Sequence, residues 1–210
     1  MANLYAAMLG VVMSLGPISG AATAQDRLPP IAADQLTPEQ KQAVTEFKSA
    51  RGVDINGPFI PMLRSPEAMS RARAMGDYLR YKSALPPRLS EFVILLTARE
   101  WTQNYEWKVH YPIAVQAGVK PETAQAIAEG RRPSAMTDEE AALYDFCTEL
   151  QRTRTVGDGA YNRLLATLGE KGVIDTISIV GYYSLLAMVM NTARTPAPVN
   201  DSPTLSALPH

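Results

Sequence analysis

The chain is poor in the residues on which much enzyme chemistry is built. Its 210 residues include one cysteine, Cys147, and two histidines, one of them the terminal His210. A single cysteine excludes an internal disulfide, a CxxC redox pair and a thiolate-rich metal site. Two histidines leave little material for a histidine-built metal centre. Net charge is only −1, from 20 Lys and Arg against 21 Asp and Glu, so the electrostatic footprint of a nucleic-acid binder is missing. Strand-like alternation is absent, and no internal repeat is visible. What is plentiful is apolar material. Hydrophobic residues make up 46% and charged residues 20%, the balance of a globular chain with one sizeable core.

The ends differ from the body. Residues 1–24 carry no charged side chain, hold an apolar run over Leu9–Gly16, and finish in Ala22-Thr23-Ala24 before Gln25-Asp26. That pattern predicts a secretory signal with an A-x-A cleavage site, although its first residues lack Lys and Arg. The expectation is an exported protein, periplasmic or secreted. Residues 195–210 contain prolines at 196, 198, 203 and 209. They predict a tail, or an arm lying on a partner subunit, rather than a packed element. Between the ends lies a single domain, 25–194. Val173 to Met190 is apolar over about a membrane span's length. It also holds Asp175, Thr176, Ser178, Tyr182, Tyr183 and Ser184, whose polar groups are costly in lipid. A helix buried in the core or in a subunit interface is expected there, with no stable membrane insertion.

Helical spacing runs through the body. Thr37-Pro38-Glu39-Gln40 is an N-cap, a proline at the first helical position and an acidic first turn, opening a helix to about Ala50. Gly52 to Arg64 is punctuated by glycine and proline and predicts a loop. Ser65-Pro66-Glu67 opens a helix to about Lys82, ended by Leu85-Pro86-Pro87. From Arg88 the apolar residues Leu89, Phe92, Val93, Leu95, Leu96 and Ala98 give a helix with a broad buried face. A polar break at 102–104 precedes a helix over Tyr105 to Ala117, closed by Gly118. Shorter helices follow over 121–130, 138–154 and 158–169, and then a long one to Asn191. The fold class is all-α, a bundle of seven or eight helices joined by short turns.

Candidate chemistry concentrates in Glu100-Trp101-Thr102-Gln103-Asn104-Tyr105-Glu106-Trp107-Lys108-Val109-His110. Glu106 and His110 are four apart and project from one helix face. A carboxylate beside an imidazole fixes its tautomer and raises its proton affinity, which suits proton transfer near neutral pH. Pro112 cannot donate to the carbonyl of Lys108 and is expected to bend the helix there. If the break at 102–104 folds the two helices into a hairpin, Glu91 approaches the His110 side. The alternative for Glu91 is a surface pair with Arg88. The alternative for His110 is a surface pair with Glu106, Tyr105 and Trp107 being core.

The segments Leu85-Pro86-Pro87-Arg88-Leu89-Ser90-Glu91-Phe92-Val93-Ile94-Leu95, Tyr105 to His110 and Ala114-Val115-Gln116-Ala117-Gly118-Val119 together resemble the carboxymuconolactone decarboxylase family, which includes the alkylhydroperoxidase D branch. The core motif covers about 85–130. Gly57-Pro58-Phe59, Met62 to Glu67 and Gly181-Tyr182-Tyr183 resemble its longer members. The resemblance implies a compact all-α bundle, assembly into homo-oligomers (trimers or hexamers), and a pocket near the motif histidine. The motif glutamate falls on Glu91 and the motif histidine on His110. The two redox cysteines of the peroxidase branch would stand at 103 and 106, where this chain has Gln103 and Glu106. Without those thiolates, peroxide reduction by a cysteine pair is disfavoured. Cys147 reads as a small buried hydrophobe.

The expected activity is that of an acid–base enzyme needing no cofactor, decarboxylating or isomerising a small carboxylated or lactone-type molecule. His110 would carry the proton, Glu106 would orient it or act as a second base, and Glu91 would donate. Tyr105, Trp107, Phe59, Arg88 and Tyr183 are candidate substrate-binding residues, with Tyr182 beside them. Arg99 and Lys108 join Arg88 as possible anion anchors. The alternatives are a non-catalytic small-ligand-binding or assembly protein on the same scaffold, and a metal site using Glu91, Glu106 and His110.

Overall fold

Capping signals set most of the helix boundaries. A computed structural model describes residues 25–207; the signal-like stretch 1–24 and His210 lie outside them. A 3₁₀ turn at Ala33–Gln35 precedes α1 (Pro38–Arg51), α2 (Phe59–Met62), α3 (Pro66–Tyr81), α4 (Pro87–Glu100), α5 (Asn104–Gln116), α6 (Pro121–Ala128), α7 (Asp138–Thr153) and α8 (Asp158–Ala193). Among the described residues there is no strand. Thr37 and Gln40 form a reciprocal capping box on α1, as Thr137 and Glu140 do on α7. Proline occupies the first helical position of α3, α4 and α6. Within α8, Gly169 leaves helical geometry (φ 68°, ψ 176°), the break expected there. One element departs from expectation. The predicted loop at 52–64 contains the single turn α2, held by burial of Phe59 and Pro61, and four residues are too few to show a period.

Helix α4 is the axis of the domain. Every residue from Leu89 to Arg99 is buried, and the helix packs against α3, α5, α6, α7 and α8. Each large apolar side chain buried there contributes about 1.5–3 kcal/mol. A smaller second core joins α1, α2 and α3 through Ala43, Phe47, Phe59, Leu63 and Met69. Helix α8 is long and apolar enough to cross a membrane by composition. However, 56% of its most apolar window is buried against the rest of the chain, as expected of a core helix.

The C-terminal segment corrects the sequence expectation. It lies packed across α4 and α5 of its own chain. Leu205 is buried in the main core. Asn104 Nδ2 donates to the Leu205 carbonyl (3.2 Å), Leu205 N–H donates to Asn104 Oδ1 (2.8 Å), and Arg99 Nη2 donates to the Ser206 carbonyl (2.8 Å). The carbonyl that Pro112 deprives of its helical donor, that of Lys108, accepts instead from Asn200 Nδ2 at 2.9 Å. The proline-rich composition gave no periodicity, yet its backbone found partners in polar side chains of α5.

Candidate active site

The turn between α4 and α5 is built to hold the two helices as a hairpin. Gln103 caps α5 by accepting from Tyr105 N–H (2.7 Å), while its Nε2 donates to Asn191 Oδ1 on α8 (2.7 Å). Asn191 Nδ2 in turn donates to the Trp101 carbonyl (3.1 Å). Thr102 takes a left-handed φ of 46°, and its hydroxyl accepts from Arg99 Nη2 (2.8 Å). The residue standing where the resemblance would put a first redox cysteine is thus a helix cap.

This hairpin brings Glu91 of α4 to His110 of α5. Glu91 Oε2 lies 2.6 Å from His110 Nδ1, and Glu106 Oε2 lies 3.4 Å from Nε2. All three residues are at most 4% exposed. The imidazole therefore sits between two carboxylates, one at each nitrogen. Burial by itself would lower its proton affinity. The charge of Glu91, reinforced by hydrogen bonds to Glu106 and Glu91, outweighs that and raises the His110 pKa from 6.5 to about 9. Near neutral pH the ring is a cation able to give up a proton. Glu106 Oε1 is fully buried and has no hydrogen-bond partner in the chain. It is an acceptor with unspent capacity.

Three further side chains complete the surroundings. Tyr183 of α8 meets the imidazole edge-on, with ring centroids 5.1 Å apart, and Tyr182 meets Tyr183 the same way at 5.2 Å. Burial, helped by Glu106 and Glu91, holds the Tyr183 phenol well above its usual range, so it stays a hydrogen-bond donor. Burial likewise pushes Tyr182 up to about 12. Gly76 leaves room on α3 for the Tyr182 hydroxyl. Arg80 of α3, half-buried, places Nη2 3.9 Å from Glu91 Oε1. The sequence reading did not select Arg80, because only the packing of α3 on α4 brings it there.

The other residues singled out from the sequence have different surroundings. Tyr105 packs on Gly57, whose φ of 53° and close approach to the ring (2.7 Å for an added Cβ) both favour glycine. Trp107 is wholly buried against Tyr111, its Nε1–H unpartnered. Phe59 lies in the second core, 4.9 Å from Phe47 with the Arg51 guanidinium over both rings. Arg88 does not face Glu91; it clamps the start of α7 through Glu139 and Glu140, each at 2.6 Å. Arg99 donates to the Ala128 carbonyl, and Lys108 to the carbonyls of Asn200 and Ser202. Phe59, Trp107 and the three cations thus have packing partners that account for them without a substrate. Cys147 is fully buried, with its thiol pushed up by burial. As a metal site the trio is poorly disposed, because the ring nitrogens both face carboxylates. Among the described residues no three acidic, histidine or cysteine side chains converge as ligands. A groove of about 500 Å³ beside α2, α3 and α8 and a cavity of about 360 Å³ between α4, α7 and α8 are not lined by Glu91, Glu106 or His110.

Residues 66–149 match the model of the carboxymuconolactone decarboxylase family, enzymes that act on small molecules. No curated protein matches the sequence. Among solved structures, an alkylhydroperoxidase AhpD core protein from Ralstonia eutropha JMP134, described as uncharacterized and peroxidase-related, is similar at 18% identity. The match covers 83% of this chain and 92% of that one, with a TM-score of 0.67. A peroxidase-related protein from Silicibacter sp. TM1040 is similar at 17% identity over 83% and 91%, TM-score 0.64. The debrominase Bmp8, as a cysteine-to-alanine variant in complex with 2,3,4-tribromopyrrole, is similar at 12% identity over 84% and 94%, TM-score 0.65. At these identities the likeness is one of fold: the all-α bundle of the carboxymuconolactone decarboxylase and AhpD type.

Proposed function

We propose that this chain, whose residues 66–149 match the carboxymuconolactone decarboxylase family, is an acid–base enzyme on a small carboxylated or lactone-type molecule. The observation that carries the reading is the buried imidazole held between Glu91 and Glu106, with Glu106 Oε1 unpartnered. In an isomerisation, Glu106 takes a proton from the carbon next to a carbonyl, and the electron pair moves into a dienolate. The His110 imidazolium then delivers a proton from Nε2 to the far carbon. In a decarboxylation, carbon dioxide leaves with cleavage of the C–C bond, and the resulting carbanion takes the His110 proton. Glu91 holds Nδ1 throughout and stabilises the charged ring. The Tyr183 phenol and the Arg80 cation are the groups available to an enolate oxygen. The tribromopyrrole held by the debrominase neighbour supports a small ring as the class of ligand for this scaffold.

Turnover of a panel of lactone acids and β,γ-unsaturated ring carboxylates, run in D₂O, tests the reading. Deuterium entering a carbon of the product, lost in Glu106→Gln and His110→Asn, is the expected result. Absence of both turnover and carbon exchange across the panel removes the catalytic reading. A binding protein on the same scaffold is the second reading. It is favoured by the placement of the 500 Å³ groove away from the imidazole, and retention of one small molecule without turnover would support it.

A further inference from the structure

Glu100 and Trp101 open the stretch richest in candidate chemistry, and the acid–base reading uses neither. Glu100 is the last residue of α4, where the partial negative charge of the helix end disfavours a carboxylate. It accepts no hydrogen bond from the described residues; the nearest cation, the exposed Arg152, holds its Nε 3.7 Å away. A local rule broken without a compensating partner marks a functional position. Glu100 lines the cavity of about 360 Å³ between α4, α7 and α8, and so does Gln151 of α7. Gln151 is 7% exposed, and its Oε1 is fully buried without a hydrogen-bond partner. Two acceptors in the wall of one cavity are thus unmet.

The rest of the wall defines what fits. Trp101 is pinned by donation from Nε1 to Ser184 Oγ (2.9 Å), which makes it a rigid aromatic surface for a cation. Arg154 stands just past α7 with a left-handed φ of 67°. Its Nη1 donates to the Gln151 carbonyl (2.7 Å), which fixes the guanidinium at the rim, and the rest of its fork bonds to none of the described residues. Leu150 and Val180 supply an aliphatic floor. No ion pair joins Arg154 to Glu100, so opposite charges from two helices flank one apolar space without neutralising each other. The volume falls within the range of small-molecule sites, about 300–1,000 Å³. We propose that this cavity binds a free α-amino acid with an apolar side chain, its ammonium group on Glu100 and Gln151 and its carboxylate on Arg154. The terminal torsion of a glutamine is broad, so a small rotation turns Oε1 of Gln151 toward the ammonium group. A plain amine leaves Arg154 unmet, and a plain acid brings a second negative charge to Glu100. None of Glu91, Glu106 and His110 lines the cavity, so the site stands apart from the acid–base reading.

Calorimetric titration of the full chain with L-leucine tests the site, with isoamylamine and isocaproate as the same aliphatic body carrying one charged group each. Leucine is expected to bind, and each analogue to bind about 10- to 100-fold more weakly, the worth of a charge-assisted hydrogen bond. Glu100→Gln should weaken leucine and isoamylamine by that factor and leave isocaproate unmoved. Arg154→Gln should weaken leucine and isocaproate and leave isoamylamine unmoved. Glu100→Gln keeps the shape of the wall, and helical circular dichroism checks that both variants fold. L-Aspartate, which would set a second carboxylate over Leu150 and Val180, is expected not to bind. Leucine should also change the tryptophan emission of the wild type but not of Trp101→Phe, because Trp107 is wholly buried elsewhere in the core. His110→Asn is expected to leave leucine affinity unchanged, which separates this site from the acid–base site. No binding of leucine at millimolar concentration overturns the proposal. So does isoamylamine binding as tightly as leucine, leucine affinity unmoved by both substitutions, or its loss in His110→Asn.

Discussion

Asp175 and Glu106 are both carboxylates buried on core helices, and their surroundings differ in completeness. Tyr78 Oη donates to Asp175 Oδ1 at 3.0 Å; the Ala84 N–H and Lys171 Nζ donate to Oδ2, each at 2.7 Å. Both oxygens are met, and the cluster ties the end of α3 and the following turn to α8. Glu106 shares Oε2 with His110, while Oε1 has no partner. Leaving a buried acceptor unmet costs about 1–3 kcal/mol, more when it is charged. Glu140, equally buried, is also completed, by Arg88 and its capping box. The finished clusters behave as fasteners, and the unfinished one leaves open the acceptor that the proposed acid–base reading requires.

Glu106→Gln gives the sharpest contrast. Turnover is expected to fall by ~10²–10⁴, the range for loss of a positioned acid–base group. Stability in urea should fall only modestly, because Glu91 still pairs with the imidazolium when the Glu106 carboxylate is lost. A large loss of stability with turnover intact would make Glu106 another fastener.

The same contrast can be read along the pH axis. The His110 pKa is raised from 6.5 to about 9, so its stabilisation is fully present below 6.5 and is lost as pH climbs to 9. A shift of that size corresponds to roughly 3 kcal/mol. Asp175 is shifted oppositely. Burial opposes its charge, but Lys171, the Ala84 N–H and Tyr78 prevail and hold it below 3.8, so its contribution is present above 3.8 and lost as pH falls further. Urea midpoints across pH should therefore show the alkaline slope vanish in His110→Asn and the acid slope vanish in Asp175→Asn. An alkaline slope unchanged in His110→Asn would contradict the geometry at Nδ1. Next in size, Asp175→Asn is expected to cost about 1–3 kcal/mol at neutral pH while turnover per folded molecule stays put.

How much of this was legible in the sequence depended on the range of the interaction. His110 and Glu106 were readable because four residues fix a shared helix face. Glu91 was readable once the break at 102–104 was taken as a hairpin, and the finding that Arg88 pairs with α7 removes the surface alternative for Glu91. Arg80 and Tyr78 were not readable as partners, because helices distant in sequence bring them to Glu91 and Asp175; Lys171 and Asp175 had the readable four-residue spacing but were not selected. The short turn α2 and the packed C-terminal segment escaped for a related reason: neither has a period, and both are held by tertiary contacts.

The smallest expected effect concerns that segment and Pro112. The helix leaves the Lys108 carbonyl without its donor at Pro112, and Asn200 supplies one from outside. Asn200→Ala should cost about 1 kcal/mol, the net worth of one such bond. Pro112→Ala restores a backbone N–H that can donate to the same carbonyl, so in that background Asn200→Ala should cost measurably less. The double-mutant cycle isolates the shared acceptor as a coupling of about 0.5–1 kcal/mol in urea unfolding. Strict additivity would mean that the carbonyl is satisfied otherwise and that the segment is held by Leu205 and Asn104 alone. Coupling would show that Pro112 and the strap across α5 are one feature, with the proline creating the acceptor that the C-terminal segment fills.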